Sequence, residues 1–383
     1  MIIDRIKNKV ISIKRRISPF PSIVKMPASG HYSSTHISAF SYGNAGDTLL
    51  PVVLRDLFSN TVGVKKWKSC NVHTFVDEKL VKSYNQSDLI VIGGGGLFLS
   101  DTMPNDVSGW QWNCSIDALT KINKPLVAFA IGYNRFRGQD DFKPIFTDHL
   151  NAFVDKAVFV GIRNHGSIEK LKPYLRTDEL RNKLVYQPCM TTLIAKIYAD
   201  YLQFDKKEDF VAFNCAFDRQ SLRSSDDSYL KSIAKVAFEL SKLTSIKYYS
   251  HMPSDEKALP YFDELGIKYE LVRLNNVKQI VECYSKPRLV IGMRGHAQMI
   301  PFGCLTPIVS IISHDKMQWF LDDIGHPNWG ADVLDPDFEE KLLDASIQAY
   351  NTYESRIQNL KIVQDKLWKI TLDNLDLISN TII

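Results

Sequence analysis

Paired cysteines are missing from this chain. Its six cysteines, Cys70, Cys114, Cys189, Cys215, Cys283 and Cys304, are scattered and never form a C-x-x-C pair. That spacing excludes the usual zinc arrangements and reads as reduced thiols in a cytoplasmic protein. No apolar run approaches the roughly 18 residues a membrane-spanning helix needs. Charges interrupt the N-terminus throughout, which leaves no room for the apolar core of a signal peptide. A strong charge of one sign is also lacking. Net charge is +4 over 383 residues, and residues 1–25 hold seven basic side chains against Asp4 alone. The remainder is therefore slightly acidic, and nucleic acid is a poor partner for it. A dinucleotide fingerprint is absent too: in G-x-G-x-x-G, Gly93 and Gly95 fit, but the third position is Phe98. No repeat recurs at 20–50 residues, and no tract is of low complexity.

What is present is an ordinary globular composition, 45% hydrophobic and 23% charged, long enough for two domains with ample cores. Residues 2–17 place Ile2, Ile6, Val10, Ile13 and Ile17 at steps of three and four, with basic residues beside them. Such a helix either lies on an anionic membrane surface or packs against protein. Pro19, Pro21 and Pro27 follow as a linker. Strands and helices then alternate twice, with a charged junction at Asp205-Lys-Lys-Glu-Asp209. The pattern predicts an α/β protein with two Rossmann-like domains facing across a cleft: residues 31–204 and 205–335. Residues 1–30 precede them, and helices over 336–383 pack on both.

Five strand ends draw attention. Val290 to Gln298 reads as a strand, a tight turn through Gly292 and Gly295, and a helix. It carries Arg294 and His296 two residues apart, a fixed cation and a titratable imidazole that suit an anionic substrate and one proton transfer. Tyr42 to Asp47 is a glycine-bearing turn before a helix over Thr48–Phe58, capped by Asp47 or Thr48. Leu89 to Ile92 is a strand, and Gly93 to Gly96 leave its end bare for a ligand to approach the main chain. Arg163 follows the strand Ala157–Ile162 as an anion clamp. His314, Asp315 and Lys316 follow another strand; without a second histidine cluster they make a weak metal site. Trp110 and Trp112 sit in a segment that reads as a loop over the site. Stacking on a sugar and packing in the core suit them equally.

The motifs Gly43-Asn-Ala-Gly-Asp47, Ile92-Gly-Gly-Gly-Gly96, Arg163 followed by Ser167, and Gly292-Met-Arg-Gly-His296, in this order, resemble the polysaccharide pyruvyl transferase family. The resemblance spans about residues 36–325; the Cys189-Met-Thr-Thr192 stretch adds little to it. It implies a fold similar to that of GT-B glycosyltransferases. It implies phosphoenolpyruvate as donor and a sugar of a glycan, or of its lipid-linked precursor, as acceptor. The product would be a pyruvate ketal. It implies no metal and no nicotinamide.

On that resemblance, Arg163 and Arg294 hold the donor's carboxylate and phosphate, with Gly94, Gly95, Gly295 and Lys316 beside them. His296 is the acid, and Asp47 accepts a hydroxyl proton or orients the sugar. Asn44, Asp47, Trp110, Trp112 and His314 face the acceptor. The rival reading is a glycosyltransferase using a nucleotide sugar, with Glu282 on the ribose. A silent scaffold protein of glycan assembly is a third. The chain is expected in the cytoplasm, in peripheral contact with the membrane if residues 2–17 bind it.

Overall fold

The computed structural model describes residues 31–40, 43–101, 105–217, 221 and 226–382. The stretch read as an amphipathic helix at residues 2–17 lies outside them.

Six strands form the first sheet: β1 (Tyr32–Ser38), β2 (Val64–Asn71), β3 (Leu89–Phe98), β4 (Leu126–Tyr133), β5 (Phe159–Ile162) and β6 (Leu184–Tyr186). Their order is β2-β1-β3-β4-β5-β6, and every pairing is parallel. Parallel strands are covered on both faces, so their sequences are continuous apolar runs; every residue of β4 is buried. β1 is buried from Ser34 to Ser38 though mostly polar, and β2 departs further. It is an edge strand with Lys65, Lys66 and Lys68 exposed, so no apolar run marks it in the sequence.

The second sheet holds β7 (Glu208–Asn214), β8 (Ser245–Ser250), β9 (Tyr269–Arg273), β10 (Pro287–Gly292), β11 (Ile308–Ile312) and β12 (Gly330–Asp332). Its order is β12-β11-β10-β7-β8-β9, again all parallel. The expectation of two Rossmann-like halves is met. In each sheet the strand order reverses beside the first strand, at β1/β3 and at β7/β10, and ligands of open α/β sheets bind at the carboxyl ends there.

The helix Ala45–Thr61 starts three residues earlier than the sequence suggested. The cap is Asn44, not Asp47 or Thr48: its Oδ1 accepts from the Gly46 N–H at 2.9 Å. Such a cap contributes about 1 kcal/mol. From Ala45 to Phe58 every residue except Asp47 is buried, so this helix is wrapped by protein on all sides. Even its charges point inward. Arg55 Nε donates to His36 Nδ1 at 3.2 Å, and Asp56 accepts from the Tyr198 hydroxyl at 2.7 Å.

Two further features differ from the sequence reading. β3 does not stop at Ile92 but runs through the glycines to Phe98, because Gly94 (φ 82°) and Gly95 (φ 99°) let it bend and stay paired with β4. Trp110 and Trp112 are not over the site. Both indoles lie in the core, 1% and 0% exposed, among Phe98, Phe153 and His149, and Trp110 Nε1 donates to His149 Nδ1 at 2.9 Å. A polar partner for the ring N–H and an apolar nest for its body leave no face to stack on a sugar.

The halves are tied together at several points. Arg137, in the loop after β4, donates to Asp315 at 2.5 Å and to both oxygens of Asp332 at 3.0 and 2.7 Å. His165 pairs with Asp323 at 2.9 Å. The last helix, Tyr353–Ser379, returns to the first half. There Asn374 donates to Tyr186 O and Gln187 Oε1, each at 3.0 Å. Among the described residues no helix is long and apolar enough to cross a membrane.

Candidate active site

The cleft encloses a cavity of about 500 Å³ whose walls are the carboxyl ends of strands from both sheets. β1 leads to Asn44 and Asp47, β3 ends in Gly94 and Gly95, and β5 delivers Arg163. From the other half, β8 delivers His251, β10 delivers Arg294, Gly295 and His296, and β11 leads to Lys316. Nine residues singled out in the sequence therefore line one cavity: Asn44, Asp47, Gly94, Gly95, Arg163, Arg294, Gly295, His296 and Lys316.

Arg163 is the most exceptional of these. It is 6% exposed, and its Nε has no hydrogen-bond partner among the described residues. No described carboxylate lies within ion-pair distance of it. Its guanidinium lies over Gly132, where a Cβ would fall 2.3 Å from Nε, so only glycine fits beneath it. Burial lowers its pKa, while Cys189 and Asp47 pull the other way. A buried cation with no carboxylate at ion-pair distance is costly, and an anionic ligand would relieve that cost.

Arg294 is differently placed. It is 8% exposed, but Asp255 engages it: Nε lies 3.0 and 2.9 Å from the two carboxylate oxygens, and Nη2 lies 2.5 Å from Oδ1. Asp255 is fully buried and also accepts from Asn214 Nδ2 at 3.2 Å and from the His251 N–H at 3.0 Å. Part of the Arg294 fork and most of its charge are taken up by Asp255.

His296 opens the helix His296–Gly303 and reaches across the cleft. Its ring rests on Gly46, where a Cβ would fall 2.3 Å from Nδ1, and its Nε2 lies 3.9 Å from Cys189 Sγ. Burial first, then the charges of Arg163 and Lys316, push its pKa down to about 3. The ring is neutral at pH 7 in the unliganded protein, so the sequence-based idea of an imidazole poised near neutrality is corrected for that state. An anion beside Arg163 and Lys316 would offset two of the three causes and raise the pKa. Lys316 Nζ donates to Asn134 Oδ1 at 2.5 Å across the cleft.

Besides Trp110 and Trp112, two assigned residues lie elsewhere. His314 is fully buried and caps the helix Asp315–Asp323, its Nδ1 accepting from the Lys316 N–H at 3.2 Å and its ring 4.2 Å from that of Phe136. It is a layer behind the cavity wall, not on it. Glu282 accepts from the Tyr201 hydroxyl at 2.9 Å and does not line the cavity. The reading missed Asp255, His251, Asn134 and Cys189. The turn Cys189–Thr192, passed over as uninformative, packs against the helices that carry Gly46 and His296. No group of three or more His, Cys, Asp or Glu that could hold a metal gathers among the described residues.

A family model described as polysaccharide pyruvyl transferase matches residues 32–315. No curated protein matches the chain by sequence. Among solved structures, the chain resembles an O-GlcNAc transferase mutant from Thermobaculum terrenum, with 12% identity and a TM-score of 0.50, over 95% of this chain and 70% of that one. It also resembles the Anabaena protein HepE, solved with UDP and glucose, with 11% identity and a TM-score of 0.50, over 91% of this chain and 100% of that one. At these identities the likeness concerns the fold: two Rossmann-like domains in the GT-B manner.

Proposed function

The chain belongs to the polysaccharide pyruvyl transferase family, and from that premise we propose that it transfers the enolpyruvyl group of phosphoenolpyruvate to a sugar. The acceptor is a cell-surface polysaccharide or exopolysaccharide, or its lipid-linked precursor, and the product is a pyruvate ketal. The observation that carries this reading is Arg163, a buried guanidinium in the wall of the cavity with an unpaired Nε and no carboxylate at ion-pair distance among the described residues. A small, highly charged anion meets that need directly.

In the mechanism this supports, the donor's phosphate and carboxylate sit against Arg163, Lys316, Arg294 and the amides at Gly94 and Gly95. Their charge raises the pKa of His296, which takes up a proton. That proton passes to the donor's methylene carbon, and the cationic carbon left behind is attacked by a sugar hydroxyl. Asp47 accepts the hydroxyl proton. A second hydroxyl of the same sugar then attacks the same carbon, its proton is removed, and inorganic phosphate leaves with the C–O bond electrons. Two C–O bonds form and one breaks, which is the balance a ketal requires.

The nucleotide-sugar reading needs a carboxylate for the ribose, and Glu282 stands away from the cavity. Phosphate release from phosphoenolpyruvate that depends on added glycan acceptor, with pyruvate recovered on the glycan, tests the proposal. Glycan-dependent turnover of a nucleotide sugar in its place would overturn it.

A further inference from the structure

His251 lines the cavity, yet the mechanism above gives it no task. It follows β8 and is 2% exposed. Its Nε2 lies 2.5 Å from the hydroxyl of Tyr284, and its Nδ1 has no hydrogen-bond partner among the described residues. Its main chain is pinned as well, because its N–H donates to the same Asp255 carboxylate that holds Arg294. A buried polar atom left unpaired beside a cavity needs an explanation.

The hydrogen-bond count fixes where the ring proton is. Tyr284 is fully buried, and its hydroxyl meets only His251 Nε2 among the described residues. If the imidazole donated from Nε2, the Tyr284 proton would have no acceptor, a loss for any buried donor. The hydroxyl therefore donates to Nε2, and the proton of the neutral ring resides on Nδ1. The ring stays neutral because burial, helped by Arg294 and His296, holds its pKa well below the ordinary imidazole range. What results is a buried N–H donor without an acceptor among the described residues, on a residue that lines the cavity together with Arg294.

We propose that His251 donates a hydrogen bond from Nδ1 to an anionic phosphate or carboxylate oxygen of the cavity's ligand, with Tyr284 as the residue that positions its tautomer. This rests on the donor reading above only for the identity of the anion. The site takes a phosphorylated or carboxylated small molecule through a neutral donor, beside the charged one supplied by Arg163.

The test compares inorganic phosphate and phosphoenolpyruvate, titrated by calorimetry into the intact protein and its variants. His251→Gln keeps a group facing Tyr284 but removes the Nδ1 donor, and should weaken binding about 10- to 100-fold, the range for a hydrogen bond to a charged group. His251→Asn places an amide where Nδ1 was and should recover part of the loss. Tyr284→Phe removes the hydroxyl that fixes the tautomer. It should weaken binding in the same direction and shift the proton of His251 to Nε2 in the histidine 15N spectrum, a change that a merely structural role would not produce. Anion binding unchanged in His251→Gln, or wild-type protein that binds neither anion, overturns the inference. If phosphoenolpyruvate binds and only Arg163→Ala loses it, the donor reading stands and the His251 inference falls. If phosphate binds in a His251-dependent way but phosphoenolpyruvate binds no better, the inference stands and the donor reading falls.

Discussion

Asp255 grips Arg294 from one side, with Nε 2.9 Å from Oδ2 and Nη2 2.5 Å from Oδ1, while Arg163 has no such partner among the described residues. The two arginines are equally buried but electrostatically unlike. Replacing Asp255 with Ala removes the carboxylate that engages the buried Arg294, and should cost about 3–5 kcal/mol of stability. Replacing Arg163 with Met removes an uncompensated buried charge and should add about 0.5–2 kcal/mol. Denaturant unfolding of both variants checks this. Equal destabilisation by the two would show that Arg163 has a counter-ion after all.

Gly46 is one place where the two halves touch at the site. An alanine in the first turn of a helix is ordinarily favourable, yet here its Cβ would fall 2.3 Å from His296 Nδ1. Gly46→Ala should displace the imidazole and lower turnover about 10²-fold, the scale of a misplaced catalytic group, while the fold melts within a few degrees of wild type. Normal turnover in this variant would mean that the ring position does not matter.

The depressed pKa of His296 has a sign that can be measured. The folded ring holds its proton only below about 3, whereas an unfolded histidine binds one below about 6.5. Between those values the unfolded chain carries a proton that the folded chain refuses, so stability falls as pH drops through that window. His36, His149 and His251 are also lowered by burial and act in the same direction. His296→Gln should therefore flatten the acid loss without abolishing it. At pH 7 the donor should bind with proton uptake, visible as a dependence of the binding heat on buffer ionisation, and the glutamine variant should lose that dependence. Identical buffer dependence in both would remove His296 as the proton carrier.

The basic amphipathic stretch at residues 2–17 makes a separate prediction. If it rests on membrane, the full chain should sediment with anionic vesicles and be released by salt, while a chain starting at Ala28 should not. Equal sedimentation of the two would leave packing against protein as its role.

The sequence made the strand ends legible because parallel strands are apolar runs and glycines puncture them. Nine cavity residues could be named from that pattern together with the family resemblance. Asp255 and His251 could not, since a lone Asp or His in a turn has no spacing to mark it; only the fold places them beside Arg294. Trp110 and Trp112 misled because an aromatic in a segment that reads as a loop suits a sugar platform and a core plug equally, and burial decides between them. Cys189 was passed over for a similar reason: its contact with His296 joins residues 107 positions apart. The strand Val64–Asn71 escaped because an edge strand needs no apolar alternation.

The central claim is that Arg163 waits for the donor's negative charge. Calorimetric titration of the intact protein with phosphoenolpyruvate, beside a nucleotide sugar and with Arg163→Ala as the control, tests it most directly. The account predicts saturable binding of phosphoenolpyruvate, weakened by about 1.5–3 kcal/mol in the variant, and no comparable binding of the nucleotide sugar. Binding of the nucleotide sugar alone, or phosphoenolpyruvate affinity unaltered by Arg163→Ala, would contradict it.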